Sequence, residues 1–341
     1  MLNKKHPPDH QTSRNKRHSA EQSDSGLHTV LQLENSLDDA LLMKSPLRIQ
    51  EEYLHRFTTA TPFQPERCES FPARRVTTSL SWQDIVLPDK VMDQVLEIQD
   101  WIQHGAVLLN DWGMADRIRP GYRALFYGPP GTGKTLTACL LGNATGRDVY
   151  KVDLSLIVSK YIGETEKNLE KVFSLAMDKD WILFFDEADA LFGKRVEAAG
   201  ANDQFANQNV AYLLQRIEQF NGIVILASNL KDNLDEAFNR RFESMIYFPL
   251  PSTEQRLSLW QQGFSARCRL EPEVDLSHIA TEHVLSGAEI INVIRYASLK
   301  AICRHSDLIL EQDLQEGIQR EQQKAAGIPS QREQQRAAIF S

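Results

Sequence analysis

The sequence has few cysteines and lacks a long apolar run. Its 341 residues include four cysteines, at positions 68, 139, 268 and 303, and none of them forms a CxxC pair. This spacing argues against a disulfide scaffold and against a cysteine-rich zinc site, and it is typical of a reducing compartment. No apolar segment approaches the roughly 18–20 residues that a membrane-spanning helix needs. We therefore expect a soluble, cytoplasmic protein without a membrane partner.

Positive charge is also in deficit. The 38 Lys and Arg residues are outnumbered by 46 Asp and Glu residues, which gives a formal net charge of −8. An acidic chain is a poor candidate for binding nucleic acid through a broad basic face, so we do not expect a nucleic-acid partner. The HExxH motif of one class of zinc proteases is absent. The composition is 42% hydrophobic and 25% charged, which suffices for a globular core.

The chain divides by composition into four segments. The first 26 residues contain only three apolar residues beside proline and glycine, which is typical of a flexible tail, and a leucine-rich helical pattern follows. Short apolar runs then alternate with amphipathic segments, and no clear strand signal appears after Pro251. The predicted segments are a flexible and helical N-terminal extension (1–75), an α/β domain (76–250), a small helical domain (251–325) and a polar C-terminal tail (326–341).

Five short apolar runs predict the strands of one sheet. They read ALFY, VYKVDL, WILFF, GIVILA and MIYF, at 124–127, 149–154, 181–185, 222–227 and 245–248. Helix-like segments lie between them, at 164–177 and 205–220 among others. Strands that are apolar throughout and alternate with helices are typical of a parallel sheet covered on both faces. The predicted fold class is therefore α/β, with functional loops at the carboxyl ends of the strands.

A glycine-rich loop follows the first of these strands. Residues 128–135, GPPGTGKT, match the pattern GxxxxGK[ST]. Glycines let several backbone N–H groups face one anion, and the N-terminus of the following helix adds partial positive charge. We expect Lys134 to reach the β- and γ-phosphates of ATP and Thr135 to offer its hydroxyl to Mg²⁺. The predicted nucleotide-binding residues are Gly128, Pro129, Pro130, Gly131, Thr132, Gly133, Lys134, Thr135 and Leu136.

Two acidic residues follow the strand WILFF. Asp186 and Glu187 would be costly at the end of a hydrophobic strand unless a cation lies nearby. We expect Asp186 to hold Mg²⁺ opposite Thr135. Glu187 is the candidate general base, which accepts a proton from an attacking water. A solvated loop could contain the same Asp-Glu pair, so this prediction depends on the glycine-rich loop upstream.

The next strand ends at Ser228-Asn229, and two adjacent arginines follow. The amide of Asn229 can hydrogen-bond both the attacking water and the γ-phosphate, although asparagine is also common in plain turns. Arg240 and Arg241 are either a solvated pair or donors that stabilise charge on the transferring phosphoryl group. Such an arginine can come from another subunit, in which case the active site is complete only at an interface.

Together these segments resemble the AAA remodelling clade of the AAA+ ATPases. The resemblance covers residues 76–325 and is carried by GPPGTGKT, FFDEADALF (184–192), ILASN (225–229) and DEAFNRRF (235–242). It implies a P-loop NTPase domain, in which helices sandwich a parallel sheet, followed by a small all-helical lid domain. Such proteins usually assemble as hexameric rings. In the family the two arginines usually flank a Pro-Gly pair, whereas here they are adjacent. The resemblance therefore does not assign which of Arg240 and Arg241 is the arginine that acts on the nucleotide of the neighbouring subunit.

The resemblance also implies contacts beyond the loop. The segment SKYIGE, 159–164, is similar to the family's first pore loop, so Tyr161 and Ile162 would grip an extended polypeptide in a central channel. The alternative is that Tyr161 packs under its own helix. The segment SGAE, 286–289, is similar to the lid motif that contacts the nucleotide, which implies Gly287 and Ala288. The segment WQDI, 82–85, is similar to the stretch that packs on adenine, which implies Ile85.

Three functions are compatible with these features. The first is an ATP-hydrolysing protein remodeller or translocase that uses ATP and Mg²⁺, acts on a protein substrate and works as a homo-oligomeric ring. The second is a nucleotide-gated assembly scaffold with low turnover, and the presence of Glu187 and Asn229 argues against it. The third is a DNA-directed loader, which the acidic charge disfavours. The segment from GKR to QFNG is also similar to stand-alone bacterial AAA proteins, some of which accompany phage-tail-like contractile injection systems.

Overall fold

Six strands form the central sheet of the protein. The computed structural model describes residues 71–154, 164–189, 211–229 and 240–325. The strands are β1 (Ala73–Val76), β2 (Tyr122–Tyr127), β3 (Val149–Val152), β4 (Ile182–Phe185), β5 (Ile223–Ser228) and β6 (Ser244–Tyr247). Their order across the sheet is β1-β3-β4-β5-β2-β6. Strand β1 pairs antiparallel with β3, and the other neighbours are parallel, which confirms the predicted α/β class.

Helices cover both faces of this sheet. They are α1 (Asp89–Asn110), α2 (Lys134–Thr145), α3 (Glu164–Asp178) and the helical residues 211–219. Phe184 packs in the core that includes Val95 of α1 and Ala138 of α2. The next residue, Phe185, packs in the opposite core, with Phe173 of α3. Successive strand residues thus point to different buried layers, and this is why the inner strands read as continuous apolar runs.

The sheet begins before the predicted domain boundary at residue 76. Strand β1 starts at Ala73, and Phe71 is buried with its ring edge-on to Tyr150 and Trp181. Residues 71–75 therefore belong with the α/β domain rather than with the N-terminal extension. Because β1 is an edge strand with a single neighbour, its arginines face solvent, and no apolar run marks it in the sequence.

The second part of the described chain is a small helical unit. Its helices are α4 (Thr253–Gly263), α5 (Leu276–Glu282), α6 (Gly287–Cys303) and α7 (Glu311–Ala325). Trp260 of α4 is fully buried at the centre of a separate core, with Ile290 and Leu314. The unit also contains two short paired strands, β7 (Arg269–Leu270) and β8 (Leu308–Ile309). The all-helical prediction missed them because two residues leave no periodic pattern.

Some predictions fall on other parts of the chain. The pore-loop residues Tyr161 and Ile162, the first 70 residues and the tail after 325 lie outside the described ranges. Across the ranges that are described, we find no helix with the length and apolar character needed to cross a membrane.

Candidate nucleotide-binding site

The glycine-rich loop adopts a conformation that requires glycine. Gly128, Gly131 and Gly133 all have positive φ angles, of 138°, 76° and 98°. A Cβ atom on Gly128 would lie 2.2 Å from the carbonyl oxygen of Phe248. A Cβ on Gly131 would lie 2.6 Å from the Ser286 hydroxyl. The loop is therefore held closely between β6 and the helical unit, and larger residues could not follow the same path.

Lys134 begins helix α2 and folds back over the loop. Its ammonium donates to the carbonyl oxygens of Gly128 at 2.7 Å and Pro129 at 2.8 Å. The Thr132 hydroxyl donates to the same Pro129 oxygen at 2.9 Å. Burial lowers the pKa of Lys134, while the carboxylates of Asp186 and Asp189 act in the opposite direction. The ammonium is thus held at the mouth of the loop, where a phosphate would sit.

A cleft of about 600 Å³ opens between this loop and the helical unit. A cavity of this size suits a small-molecule ligand, because such pockets typically measure about 300–1,000 Å³. The predicted loop residues that line it are Pro130, Gly131, Thr132, Gly133, Lys134, Thr135 and Leu136. Gly128 and Pro129 instead contribute the carbonyl oxygens beneath the Lys134 ammonium.

The segment before α1 forms one wall of the cleft. Ile85 lines it, and its Cδ1 lies 3.4 Å from where a Cβ of Gly133 would be. A tight turn precedes Ile85, in which Asp84 Oδ2 accepts bonds of 2.7 Å from both the N–H and the hydroxyl of Ser81. These bonds lower the pKa of Asp84. The turn thus aims Ile85 at the loop, as the predicted adenine contact requires.

The N-terminus of α6 forms the opposite wall. Ser286 and Glu289 cap this helix reciprocally, and Gly287 and Ala288 line the cleft. The Ala288 N–H donates to the Gly131 carbonyl oxygen at 3.2 Å. The helical unit is therefore hydrogen-bonded directly to the glycine-rich loop, and a ligand in the cleft would contact both parts.

Asp186 lies beside Thr135, as the sequence predicts. The Thr135 hydroxyl is 3.3 Å from Asp186 Oδ2, and the Glu187 N–H donates to Oδ1 at 3.0 Å. A hydroxyl and a carboxylate are ligands that suit Mg²⁺, which is commonly bound by one or two carboxylates together with phosphate oxygens. The residues present therefore fit the predicted magnesium site. Lys151, which sequence reasoning did not single out, also contacts Oδ2, at 2.7 Å.

Glu187 and Asn229 also reach the cleft. Both side chains are exposed and line it together with Asp186. Glu187 has a φ of 52°, in the left-handed region that non-glycine residues rarely adopt. Such strain persists only where surrounding contacts enforce it, and it is concentrated at functional sites. One contact that does so is the Ala188 N–H, which donates to the Ala227 carbonyl at 2.8 Å.

Asp189 connects the acidic loop to the end of β5. Its Oδ1 accepts a 2.9 Å bond from the Asn229 N–H and a short bond from the Ser228 hydroxyl. Sequence reasoning missed Asp189, although it stands three residues after Asp186 in FFDEADALF. The structure gives Asp189 and Ser228 a purpose, because together they fix the backbone that carries Asn229.

The two arginines lie away from the cleft of their own chain. Arg240 is exposed, and Arg241 Nε lies 2.8 Å from Glu218 Oε1. Neither is among the residues that line the cleft in the described chain. The structure therefore brings together the loop, both acids and Asn229, but it does not bring either arginine to them.

The chain matches a protein-family model, and its relatives include ATPases of proteasomes and peroxisomes. Residues 124–250 match the model described as "ATPase family associated with various cellular activities (AAA)". A 26S proteasome regulatory subunit 6B homolog from Dictyostelium discoideum is 36% identical over 59% of this chain and 51% of its own length. The peroxisomal ATPase PEX6 of Komagataella pastoris is 31% identical over 71% of this chain and 21% of its own. A proteasome-activating nucleotidase from Aeropyrum pernix is 36% identical over 60% of this chain and 51% of its own. The matched region thus spans about half the length of the two proteasomal relatives and about a fifth of the length of PEX6.

Proposed function

The chain carries an AAA ATPase domain, and on that premise we propose that the protein hydrolyses ATP and uses the energy to remodel a protein substrate. The observation that carries this proposal is the convergence of Lys134, Thr135, Asp186, Glu187 and Asn229 on one cleft. Each of these side chains has a distinct task in phosphoryl transfer to water. A cleft that only held nucleotide would have no use for the strained Glu187.

The chemistry is an in-line attack of water on the γ-phosphate, in which the water oxygen bonds to phosphorus as the bond to the bridging oxygen breaks and ADP leaves. Lys134 and the loop N–H groups bind the phosphates and keep the reacting atoms aligned. Glu187 accepts the proton of the attacking water, and the Asn229 amide orients that water against the phosphate. Thr135 and Asp186 would hold Mg²⁺, which neutralises charge on the phosphate oxygens when it is bound.

The remaining transition-state charge calls for an arginine from another copy of the chain. Neither Arg240 nor Arg241 is among the described residues that line the cleft of their own protomer, and Arg240 is exposed. This supports a homo-oligomeric ring, hexameric by resemblance, in which each cleft is completed by its neighbour. Tyr161 and Ile162 would then act on a polypeptide substrate. The cytoplasmic location and the link to injection systems stay predictions.

A Glu187→Gln variant tests the assignment. We expect ATP to bind with wild-type affinity and turnover to fall by about 10²- to 10⁴-fold, because the general base is lost while the shape is kept. Fluorescent-nucleotide binding and a steady-state phosphate-release assay measure the two quantities separately. The matched control is Glu97→Gln on α1, which removes one exposed carboxylate outside the cleft and should leave turnover unchanged.

The outcomes separate the candidate functions. Rapid hydrolysis by Glu187→Gln would refute the base assignment. A wild-type protein that binds ATP tightly but does not turn it over would instead support the nucleotide-gated scaffold.

A further inference from the structure

Lys151 is the one charged residue in strand β3, and its ammonium contacts an acidic residue of the nucleotide cleft. Its neighbours Tyr150 and Val152 pack in the core that contains α3, so Lys151 points to the opposite face of the sheet, where α2 lies. Its partner across the strand pair is Phe184, two residues before Asp186. An extended lysine side chain at this position reaches the carboxyl end of β4.

The Lys151 ammonium contacts the magnesium-site carboxylate directly. Nζ lies 2.7 Å from Asp186 Oδ2, and both side chains are largely shielded from solvent, at 27% and 20% exposed. The Thr135 hydroxyl approaches the same oxygen at 3.3 Å. Asp186 Oδ2 therefore contacts both the Lys151 ammonium and the hydroxyl of Thr135, which is expected to bind Mg²⁺ together with Asp186.

Lys134, the lysine of the glycine-rich loop, has different close hydrogen-bond partners. Lys134 donates to the carbonyl oxygens of Gly128 and Pro129. Hence the close ion pair of Asp186 is made by Lys151, a residue that no step of the proposed hydrolysis requires.

We propose that Lys151 is a positioning residue for Asp186 that competes with Mg²⁺ for its Oδ2 atom, and so sets the Mg²⁺ concentration at which the cleft loads Mg-nucleotide. This inference rests on the proposed function. The ion pair holds the Asp186 side chain toward Thr135 before nucleotide arrives. Because two cations repel each other at short range, the ammonium raises the Mg²⁺ concentration that is needed to occupy the site.

The experiment measures nucleotide binding rather than turnover. Fluorescent ADP is bound to wild-type protein and to Lys151→Met while Mg²⁺ is titrated from an EDTA-buffered start. We expect the half-saturating Mg²⁺ concentration to fall by about five- to tenfold in Lys151→Met, since a nearby unit charge has been removed. Lys151→Arg keeps the charge and should stay close to wild type.

Two controls keep the result interpretable. Lys171→Met removes an exposed lysine from α3, on the other face of the sheet, and should leave the Mg²⁺ midpoint unchanged. Lys151→Gln is measured beside Lys151→Met, and a thermal melt of each verifies that it is folded.

Three outcomes are decisive. An unchanged or higher Mg²⁺ midpoint in folded Lys151→Met and Lys151→Gln would overturn the inference. Weaker ADP binding in EDTA would also overturn it, because Lys151 would then contact phosphate directly. If the wild-type protein binds no nucleotide at all, the proposed function fails instead.

Discussion

At the scale of single residues, the site depends on a short loop that is fixed to the neighbouring strand. Residues 186–189 follow β4, and the loop is joined to β5 through the Ala188 N–H and through Asp189. These bonds enforce the left-handed backbone of Glu187, a conformation that costs a non-glycine residue about 1–2 kcal/mol. The loop is thus locally strained, and this strained backbone directs the Glu187 carboxylate at the cleft.

Asp189 is expected to affect catalysis without touching the nucleotide. It does not line the cleft, but it accepts bonds from Ser228 and from the backbone of Asn229. In Asp189→Ala we expect kcat to fall by about 10- to 100-fold, because small displacements of a positioning group have effects of that size. The Kd for ATP should change little. Steady-state kinetics and nucleotide binding separate these two effects.

A conservative variant provides the control for Asp189. Asp189→Asn keeps an amide oxygen that can accept both bonds, so most of kcat should return. A general loss of stability would instead lower binding and turnover together. If Asp189→Ala kept wild-type kcat, Asn229 would not need this support.

At the scale of elements, an ion pair joins the last two helices of the helical unit. Arg304, the C-cap of α6, donates to both carboxylate oxygens of Asp313 in the first turn of α7, through NH1 at 2.8 Å and through NH2. Asp313 is only 4% exposed and also accepts a bond from the Leu310 N–H at 3.3 Å. The hydrogen bonds from Arg304 lower the pKa of Asp313. The pair therefore fixes the angle at which α7 leaves α6.

This pair gives the helical unit a defined pH dependence. Asp313→Asn should lower the free energy of unfolding by about 1–3 kcal/mol at pH 7, because a buried charged bond is lost. Since the folded pKa lies below the unfolded value of about 3.9, the stabilisation is complete above that value. It is lost as the pH falls through the folded pKa, so wild type and variant should converge there. Urea unfolding at pH 7, 5, 3.5 and 2 follows this difference from its full size to its loss.

The exposed pair of Arg269 and Asp307 is the matched control. Both of its side chains are more than half exposed, so Asp307→Asn should leave the free energy of unfolding nearly unchanged. Equal losses in the two variants would show that burial of Asp313 contributes nothing.

The sequence predicted elements well where their pattern was local. Strand β5 was expected at 222–227 and is observed at Ile223–Ser228, because its residues are buried on both faces. Strand β1 was missed because it is a charged edge strand, and β7 and β8 because they are too short. Helix α6 begins at Gly287 because Ser286 and Glu289 form a capping box there.

The residues of the site also divide into those that a local pattern predicts and those that only contacts between distant segments bring together. The glycine-rich loop is contiguous in the chain, so its residues could be predicted from spacing alone. The contact of Lys151 with Asp186 joins two neighbouring parallel strands, and the bond of Asp189 to Asn229 joins residues 40 apart. Such contacts depend on strand order and register, which cannot be predicted from the amino-acid sequence of a single segment.

At the scale of the whole molecule, the acids and the arginines of the proposed site lie apart within one protomer. The cleft contains the cation Lys134 and the acids, but the arginines lie elsewhere on the protomer. Arg241 is tied to Glu218, whose own carbonyl oxygen accepts a bond from the buried Arg123. Among the described residues, no contact joins Arg240 to this network, and its side chain is exposed, so it is the better placed of the two to enter a neighbour's cleft.

This difference predicts unequal effects of removing the arginines. Arg240→Ala should reduce kcat by about 10³-fold with ATP binding intact, because an arginine supplied in trans acts on the transition state. Arg241→Ala should have a smaller effect on kcat and should also lower the melting temperature, since it breaks the pair with Glu218. Phosphate release and thermal melts of both variants measure these effects.

Mixing two inactive variants tests whether the arginine acts in trans. Glu187→Gln retains Arg240, and Arg240→Ala retains Glu187, so a mixed ring contains some clefts in which both groups are intact. We expect the mixture to recover activity that neither variant has alone, and dilution below the assembly concentration to abolish it. The double variant Glu187→Gln/Arg240→Ala should rescue neither partner. If the mixture stayed inactive while size measurements showed mixed oligomers, the arginine would not be shared between protomers, and each cleft would have to find its missing cation within its own chain.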